Sequence, residues 1–298
     1  MDDYTIGVLT NMGLFAFLAI SAYLLLITGE ISFGQQAFFG VGAYASGILT
    51  AMYGVPLPVA ALAAMACGAG AALLVGLPTL RLRGLYFAMA TLAAAEMARI
   101  LFELFIFRRT VNGELVGPDG TQGFRGIRWI FEAGMEPMDY LVLIYAILAV
   151  VVVVFALVER SRLGATLRAL GQDPGLAASL GIDIVRFKLG VAAAAGALAA
   201  LGGTLFAHQN TYIEPRNFDI MLGVHSLAYA LIGGLGTVFG PLLGVVLDIG
   251  ILEGTRFFQG YRMIVFGGLV AVLLAFRPGG LLNEQLVHRL RFRALRRP

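Results

Sequence analysis

The feature that most restricts this chain is its succession of long apolar runs. Nine blocks, at residues 5–27, 33–52, 57–78, 85–107, 140–158, 189–208, 220–232, 239–252 and 263–276, follow one another with short polar joints between them. A run of about 20 apolar residues is long enough to cross a bilayer core of about 30 Å as a helix. Apolar residues make up 59% of the 298 and charged residues 13%, against about 45–50% and 25% in soluble proteins. The expectation is an all-α, polytopic integral membrane helical bundle of about nine segments, forming one domain over residues 1–298. The seventh and eighth blocks, on either side of GGLGTVFGP, are short and read as tilted, broken or re-entrant, which membranes tolerate only where the backbone is buried in protein or lines a cavity. The acidic start MDDYTIG has no basic n-region, so the first apolar run is expected to be a retained helix and not a cleaved signal.

Residues 159–188 form a polar island between two of these blocks, and it carries its own helix signals. Asp173 suits an N-cap, Pro174 the first helical position and Gly181 a left-handed stop. Between cap and stop lie at most seven residues, 174–180, about 10 Å of helix at 1.5 Å per residue, which is too short to be stable alone or to cross a bilayer. Ser161 predicts a second short helix ending at Gly171, and Asp183 predicts the cap of the next membrane helix near Ile184. Two readings stand: a solvated connection, or a docking helix that presents Leu176, Ala177 and Leu180 to a partner.

Placing this loop in the cytoplasm fixes every other loop by parity. Thirteen of the 21 basic residues then fall inside, seven outside, and Arg99 lies within a helix. This is the positive-inside bias, with the N-terminus outside and the C-terminus cytoplasmic. Arg108 and Arg109 run against it. The outer loop 108–139, with a turn at GPDG and Trp129 beside Ile130 and Phe131, predicts a short helix at the membrane interface.

Polar groups at membrane depth mark the remaining positions of interest. The second block carries Gly34, Gly40, Gly42 and Gly47 with Ala37, Ala43 and Ala45 between them, a small-residue surface that lets helices approach closely and predicts a central position. Gln35, Gln36 and Tyr44 on that helix either bond to neighbouring helices or line a substrate path. Glu96 and Arg99 stand at i, i+3 spacing and read as a mutually satisfied pair, with Glu96 also a candidate for the path. Residues 189–208 form another small-residue helix. Asp248 and Glu253 lie in or near the eighth block and are expected to touch a pathway or close a helix pair.

Several functions lack their motifs. There is one cysteine, Cys67, so no disulfide forms within the chain, and the three histidines, 208, 225 and 288, are too scattered for a metal site. The only lysine is Lys188 and no GxxxxGK[ST] loop occurs, so ATP cannot bind in the usual P-loop manner. HExxH and GxSxG are absent as well. The chain is expected to catalyse no reaction and to hold no cofactor or metal.

Five stretches in order, GQQAFFGVGAYASG (34–47), LRLRGLYFAMATLAAAEMAR (80–99), SRLGATLRALGQDPGLAASLGIDIVRFKL (161–189), LIGGLGTVFGPLLG (231–244) and FRPGGLL (276–282), resemble the LivM-type permease of bacterial branched-chain amino-acid ABC importers. The resemblance implies a five-part importer in the bacterial inner membrane: this permease, a second homologous permease, two cytoplasmic ATP-binding subunits and a periplasmic or lipid-anchored solute-binding protein, with no nucleic acid. It implies an ATPase-coupling helix at Asp173, Pro174, Leu176, Ala177, Leu180 and Gly181, and a path for branched-chain or other hydrophobic amino acids. Related permeases carry urea, short amides or simple sugars. An ATP-independent secondary transporter or channel is the alternative from another class, which predicts coupling-ion ligands at broken helices near the midplane.

Overall fold

A computed structural model of the chain describes residues 2–82, 84–111, 114–253, 261–277 and 279–282. The first four helices are α1 (Asp3–Leu26), α2 (Gln35–Gly47), which runs into a π-helical stretch at Ile48–Met52, α3 (Leu57–Thr79) and α4 (Leu85–Leu104). Strands β1 (Arg109–Val111), β2 (Glu114–Pro118) and β3 (Phe124–Arg125) follow, then α5 (Trp129–Glu132) and α6 (Pro137–Arg160). Next come α7 (Arg162–Gln172), α8 (Pro174–Ser179), α9 (Ile184–Asn210), β4 (Tyr212–Ile213), α10 (Ile220–Gly233), α11 (Phe239–Val245) and α12 (Arg262–Phe276). Helices α1, α3, α4, α6 and α9 are long and apolar enough to cross a membrane. The chain is therefore a multi-pass helical membrane protein. The eighth block is helical throughout, its seven α-helical residues giving way directly to a π-helix at Val246–Glu253.

Burial separates the inner helices from the outer ones. Within their most apolar stretches, 72% of α1 and 67% of α9 is buried in the protein, against 28% of α3, 22% of α4 and 11% of α6. Helix α2 is buried along almost its whole length, so α1, α2 and α9 form the centre and α6 turns Val150, Val153 and Leu157 outward. Lipid tails are as apolar as leucine, so close packing and not the hydrophobic effect must hold such helices together. Glycine supplies that closeness where α9 meets its neighbours. A Cβ at Gly42 of α2 would land on the backbone of Ala200, and one at Gly203 on the carbonyl of Phe39. At the crossing of α3 and α9, Gly68 and Gly196 face each other, so that a Cβ on either would meet the other's carbonyl.

The fold departs from an all-α reading at one end of the bundle. The four strands form one antiparallel sheet in the order β1-β2-β3-β4, with Arg109 opposite Val116, Gly117 opposite Arg125 and Phe124 opposite Ile213. Phe124, Ile127 and Ile213 are fully buried and close over the end of α2, where a Cβ at Gly47 would come within 3.0 Å of both Phe124 and Ile127. The short helix expected beside Trp129 is present as the single turn α5, with Phe131 exposed and Trp129 packed edge-on against His208 at 6.4 Å. Arg83, Arg256, Pro278 in FRPGGLL and the basic tail 283–298, including His288, lie outside the described residues.

Candidate functional site

The polar island folds into a braced double helix-turn. The carboxylate of Asp173 accepts the N–H of Leu176 at 2.9 Å, with Pro174 at the first helical position. At the other end Gly181 takes φ +81°, its N–H donates to Ala178 O at 2.9 Å, and the Ile182 N–H donates to Ala177 O at 3.2 Å. This pair of bonds is a Schellman stop, which satisfies the last carbonyls of a helix too short to hold itself. Asp183 then accepts the N–H of Arg186 at 3.1 Å and opens α9. Ser161 stands at the start of α7 as expected, but its hydroxyl donates back to Val158 O at 2.7 Å and caps no N–H group.

The faces of α8 differ from the expected docking surface in one residue. Leu176 and Leu180 are 61% and 72% exposed, whereas Ala177 is 1% exposed. Ala177 is turned into its own chain, because α8 leans on α7 and α9. Leu163 of α7 and Val185 of α9 are exposed apolar residues of the same segment, and the sequence reading passed over them.

Three ties fasten this segment to the bundle. The Tyr23 hydroxyl of α1 donates to Glu159 at 2.6 Å. Arg168 of α7 lies 4.0 Å from the other Glu159 oxygen and donates to the carbonyl of Gly236, between α10 and α11, at 3.2 Å. Lys188 pairs with Glu30, beyond the end of α1, and both side chains are nearly buried. Gly171 packs against the backbone of Ile27 and Gly29, where a Cβ would collide with Ile27 O.

The candidate path residues fall in two places. Gln35, Gln36 and Tyr44 are 0%, 1% and 4% exposed in the core around α2. Gln35 accepts from Ser21 at 3.1 Å, while Gln35 Nε2, Gln36 Oε1 and the Tyr44 hydroxyl have no hydrogen-bond partner. Gln36 lies against Gly223 of α10, and Tyr44 stacks on Phe102 of α4 at 4.6 Å. Each unsatisfied buried polar group costs about 1–3 kcal/mol, so three together on one helix call for a reason. Glu96 is elsewhere. Its carboxylate accepts from Arg99 Nε at 2.7 Å, and Arg99 also holds Glu103, one turn further on, to complete a trio. These side chains keep 20–32% of their surface exposed on α4. The pair was legible and its third member was not sought, although Glu103 stands at i+4 from Arg99.

The other singled-out polar residues are internally satisfied. Asp248 accepts from the Tyr229 hydroxyl at 2.8 Å and thereby closes the pair α10 and the π-helix. His208 lies 3.0 Å from Thr50 Oγ1 and 2.7 Å from Thr204 O. The side chain of Glu253 lies outside the described part.

The chain is 32% identical over 286 residues to the high-affinity branched-chain amino acid transport system permease protein LivM of Salmonella typhimurium, covering 86% of this chain and 64% of that protein. LivM of Escherichia coli gives the same identity and coverage over 283 residues. A probable branched-chain amino acid transport permease protein LivH of Methanocaldococcus jannaschii is 23% identical, over 90% of this chain and 86% of that one. The chain thus spans about two thirds (64%) of the length of the LivM proteins it matches. No solved structure matches it. A family profile described as branched-chain amino acid transport system, permease component, matches residues 4–274, and the chain belongs to that family.

Proposed function

We propose that this chain is the transmembrane permease subunit of an ATP-driven importer and forms half of the path for branched-chain or other hydrophobic amino acids. Nine crossings, five by the long helices and four by the shorter segments around α2, α10, α11 and α12, would put the termini on opposite sides, and the bias of basic residues supports an outside N-terminus and a cytoplasmic C-terminus. The subunit performs no covalent chemistry. A second homologous permease completes the path, two cytoplasmic ATPases supply the energy and a solute-binding protein delivers the ligand. LivM and LivH, each named a permease protein of such a system, are both similar to this chain, which supports a paired permease.

The observation that carries the reading is α8: a helix of six residues, capped at both ends, with Leu176 and Leu180 exposed in a segment tied to the bundle. A short, stiff, apolar projection on the cytoplasmic side is the form of a joint that an ATPase grips. Gln35, Gln36 and Tyr44, with unspent hydrogen-bonding capacity at the centre, are the groups we assign to the path. Glu96, engaged by Arg99, is assigned to holding α4.

Leu180→Glu places an unpaired charge in the joint, at a cost of several kcal/mol on docking. The ATPase should no longer co-purify with the variant, while the membrane bundle folds normally. Asp173→Ala should cost only about 1 kcal/mol and weaken docking mildly. Normal association and normal substrate-stimulated ATP hydrolysis in liposomes for Leu180→Glu would refute the assignment of α8.

A further inference from the structure

The sheet carries a cleft on the face turned away from α2, about 200 Å³ in volume and lined by Arg108, Leu115, Gly117, Asp119, Gln122 and Arg125 among others. Strand geometry gathers these residues. Successive side chains of a strand point to opposite faces, so Val116, Phe124 and Ile213, buried towards α2, leave Leu115, Gly117, Arg125 and Tyr212 on the other side. Ile106 pairs with Asp119 and Arg109 with Val116, which sets Arg108 opposite Gly117, and Gly117 is itself opposite Arg125. Arg108, Gly117 and Arg125 thus stand in one row across three strands. With neighbouring strands about 4.8 Å apart, the backbones of the two arginines are about 10 Å apart, and the residue between them has no side chain.

Both guanidiniums are steered, and only one has a carboxylate. Arg108 pairs with Asp119, with 42% of its side chain still exposed. Arg125 lies over the Tyr212 ring at 5.5 Å and makes no ion pair among the described residues. Two arginines therefore share one acid, and the lining keeps one positive charge that the chain does not match. These groups are within reach from outside the protein, since Arg125 and Gln122 are exposed and Leu115 is 71% exposed.

We propose that the cleft is a docking point for the solute-binding protein and takes a carboxylate side chain that this partner presents. The proposal rests on the topology and partners given above, which put the sheet outside. A volume of about 200 Å³ is below the range of about 300–1,000 Å³ for small-molecule sites, and it holds one side chain rather than a whole solute. A guanidinium offers a planar fork of donors that matches a carboxylate with two parallel bonds. Held over a ring, Arg125 has little freedom left to lose on forming them. Leu115 and Tyr212 supply apolar area around the charge, and tyrosine and arginine are the residues that concentrate the energy of protein interfaces. A lipid phosphate fits the placement less well, because this face looks away from the helices that a bilayer surrounds. The site also gives a use to Arg108, one of the two arginines that run against the positive-inside bias.

The test uses the full chain in phosphatidylcholine nanodiscs and the importer's purified solute-binding protein loaded with L-leucine, with Kd read by interferometry. Arg125→Gln should raise Kd at least tenfold, and Arg125→Lys should recover part of the loss. Arg216→Gln, at an exposed arginine of the same end that does not line the cleft, should change Kd less than twofold. In a Cys67→Ala background, the binding protein should slow maleimide labelling of Leu115→Cys at least fivefold. Absence of binding, a Kd unmoved by Arg125→Gln, or equal losses in Arg125→Gln and Arg216→Gln would each overturn the site. So would slowed labelling of Leu115→Cys without the binding protein, whether by 10 mM inorganic phosphate, which marks a free-anion site, or by phosphatidylglycerol in the nanodisc, which marks a lipid site. ATPase docking through Leu176 and Leu180 is measured separately, so failure of the cleft leaves the importer reading to that experiment, and failure of docking there leaves the cleft to this one.

Discussion

The close crossing of α3 and α9 makes a prediction that two neighbouring glycines can decide. Gly68 and Gly70 lie in the same helix, two residues apart. An alanine Cβ at 68 would lie 2.6 Å from the Gly196 carbonyl oxygen, whereas at 70 it would meet nothing within 4 Å. Ordinary close contacts between carbon and a carbonyl oxygen are about 3.3–3.6 Å, so Gly68→Ala must push the helices apart by most of an ångström. A gap of that size forfeits a quarter to a half of the dispersion well along the seam, and overpacking of this kind costs about 1–3 kcal/mol. Replacing glycine by alanine in a helix returns about 1 kcal/mol, which Gly70→Ala collects without the clash. The two variants should therefore differ by about 2 kcal/mol, or several degrees in unfolding midpoint at about 2–4 °C per kcal/mol. Thermal unfolding in detergent, followed by the fluorescence of Trp129, measures this. Gly196→Ala should match Gly68→Ala, and the double variant should fall short of the sum, because helices already separated admit the second methyl freely. Equal midpoints for Gly68→Ala and Gly70→Ala would refute the crossing geometry.

Two further outcomes are expected. Arg99→Gln should lower folded yield several-fold, because Glu96 and Glu103 both lose their partner; the triple variant with Glu96→Gln and Glu103→Gln should recover it, and a triple variant worse than Arg99→Gln would show the charges to be independent. With Cys67→Ala as background, an impermeant thiol reagent should label a cysteine at Asp3 from outside and one at Gln285 only after lysis. Labelling of both or neither before lysis would rule out an odd number of crossings.

Signals that act over three or four residues were legible in the sequence, and those that act between distant elements were not. Asp173, Gly181 and Asp183 work through bonds to N–H groups or carbonyls a few residues away, so their residue types alone announce them. The small residues of the second block announced close packing for the same reason, since a missing side chain is visible wherever the partner comes from. The direction of Ala177 is set by α7 and α9, and spacing on its own helix could not reveal which side they occupy. The sheet was hidden for a similar cause: β3 and β4 are two residues each, and Phe124 meets Ile213 across most of a helical layer of intervening chain. Ser161 shows the opposite limit. A hydroxyl can donate as well as accept, and here it donates to the Val158 carbonyl, which also accepts the Ser161 N–H. Lys188 stood out as the only lysine, yet its partner Glu30 lies at the far side of four membrane helices in sequence and became visible only in three dimensions.

The arrangement of ties around α8 determines where a load on it would go. Helix α7 cannot yield alone, because Gly171 is wedged on the backbone of Ile27 and Gly29, and Arg168 joins it to Glu159 and to the Gly236 carbonyl. Helix α9 starts three residues after Gly181, with Asp183 as its cap, and runs unbroken for 27 residues, about 40 Å at 1.5 Å per residue. It is also the helix on which α1, α2 and α3 lie, two of them through glycine contacts that leave no room to slide past side chains. At its C-terminal end His208 meets Thr50 at the π-helical end of α2, and β4 joins the sheet. A force entering at Leu176 and Leu180 would thus reach the sheet through one helix, and would pass Gln36 and Tyr44 because α2 is packed along that helix. The π-helical stretches at Ile48–Met52 and Val246–Glu253 are places, among the described apolar helices, where the regular ladder of hydrogen bonds is already altered. Bending should concentrate there, at the C-terminal ends of α2 and α11, and leave the glycine crossings intact.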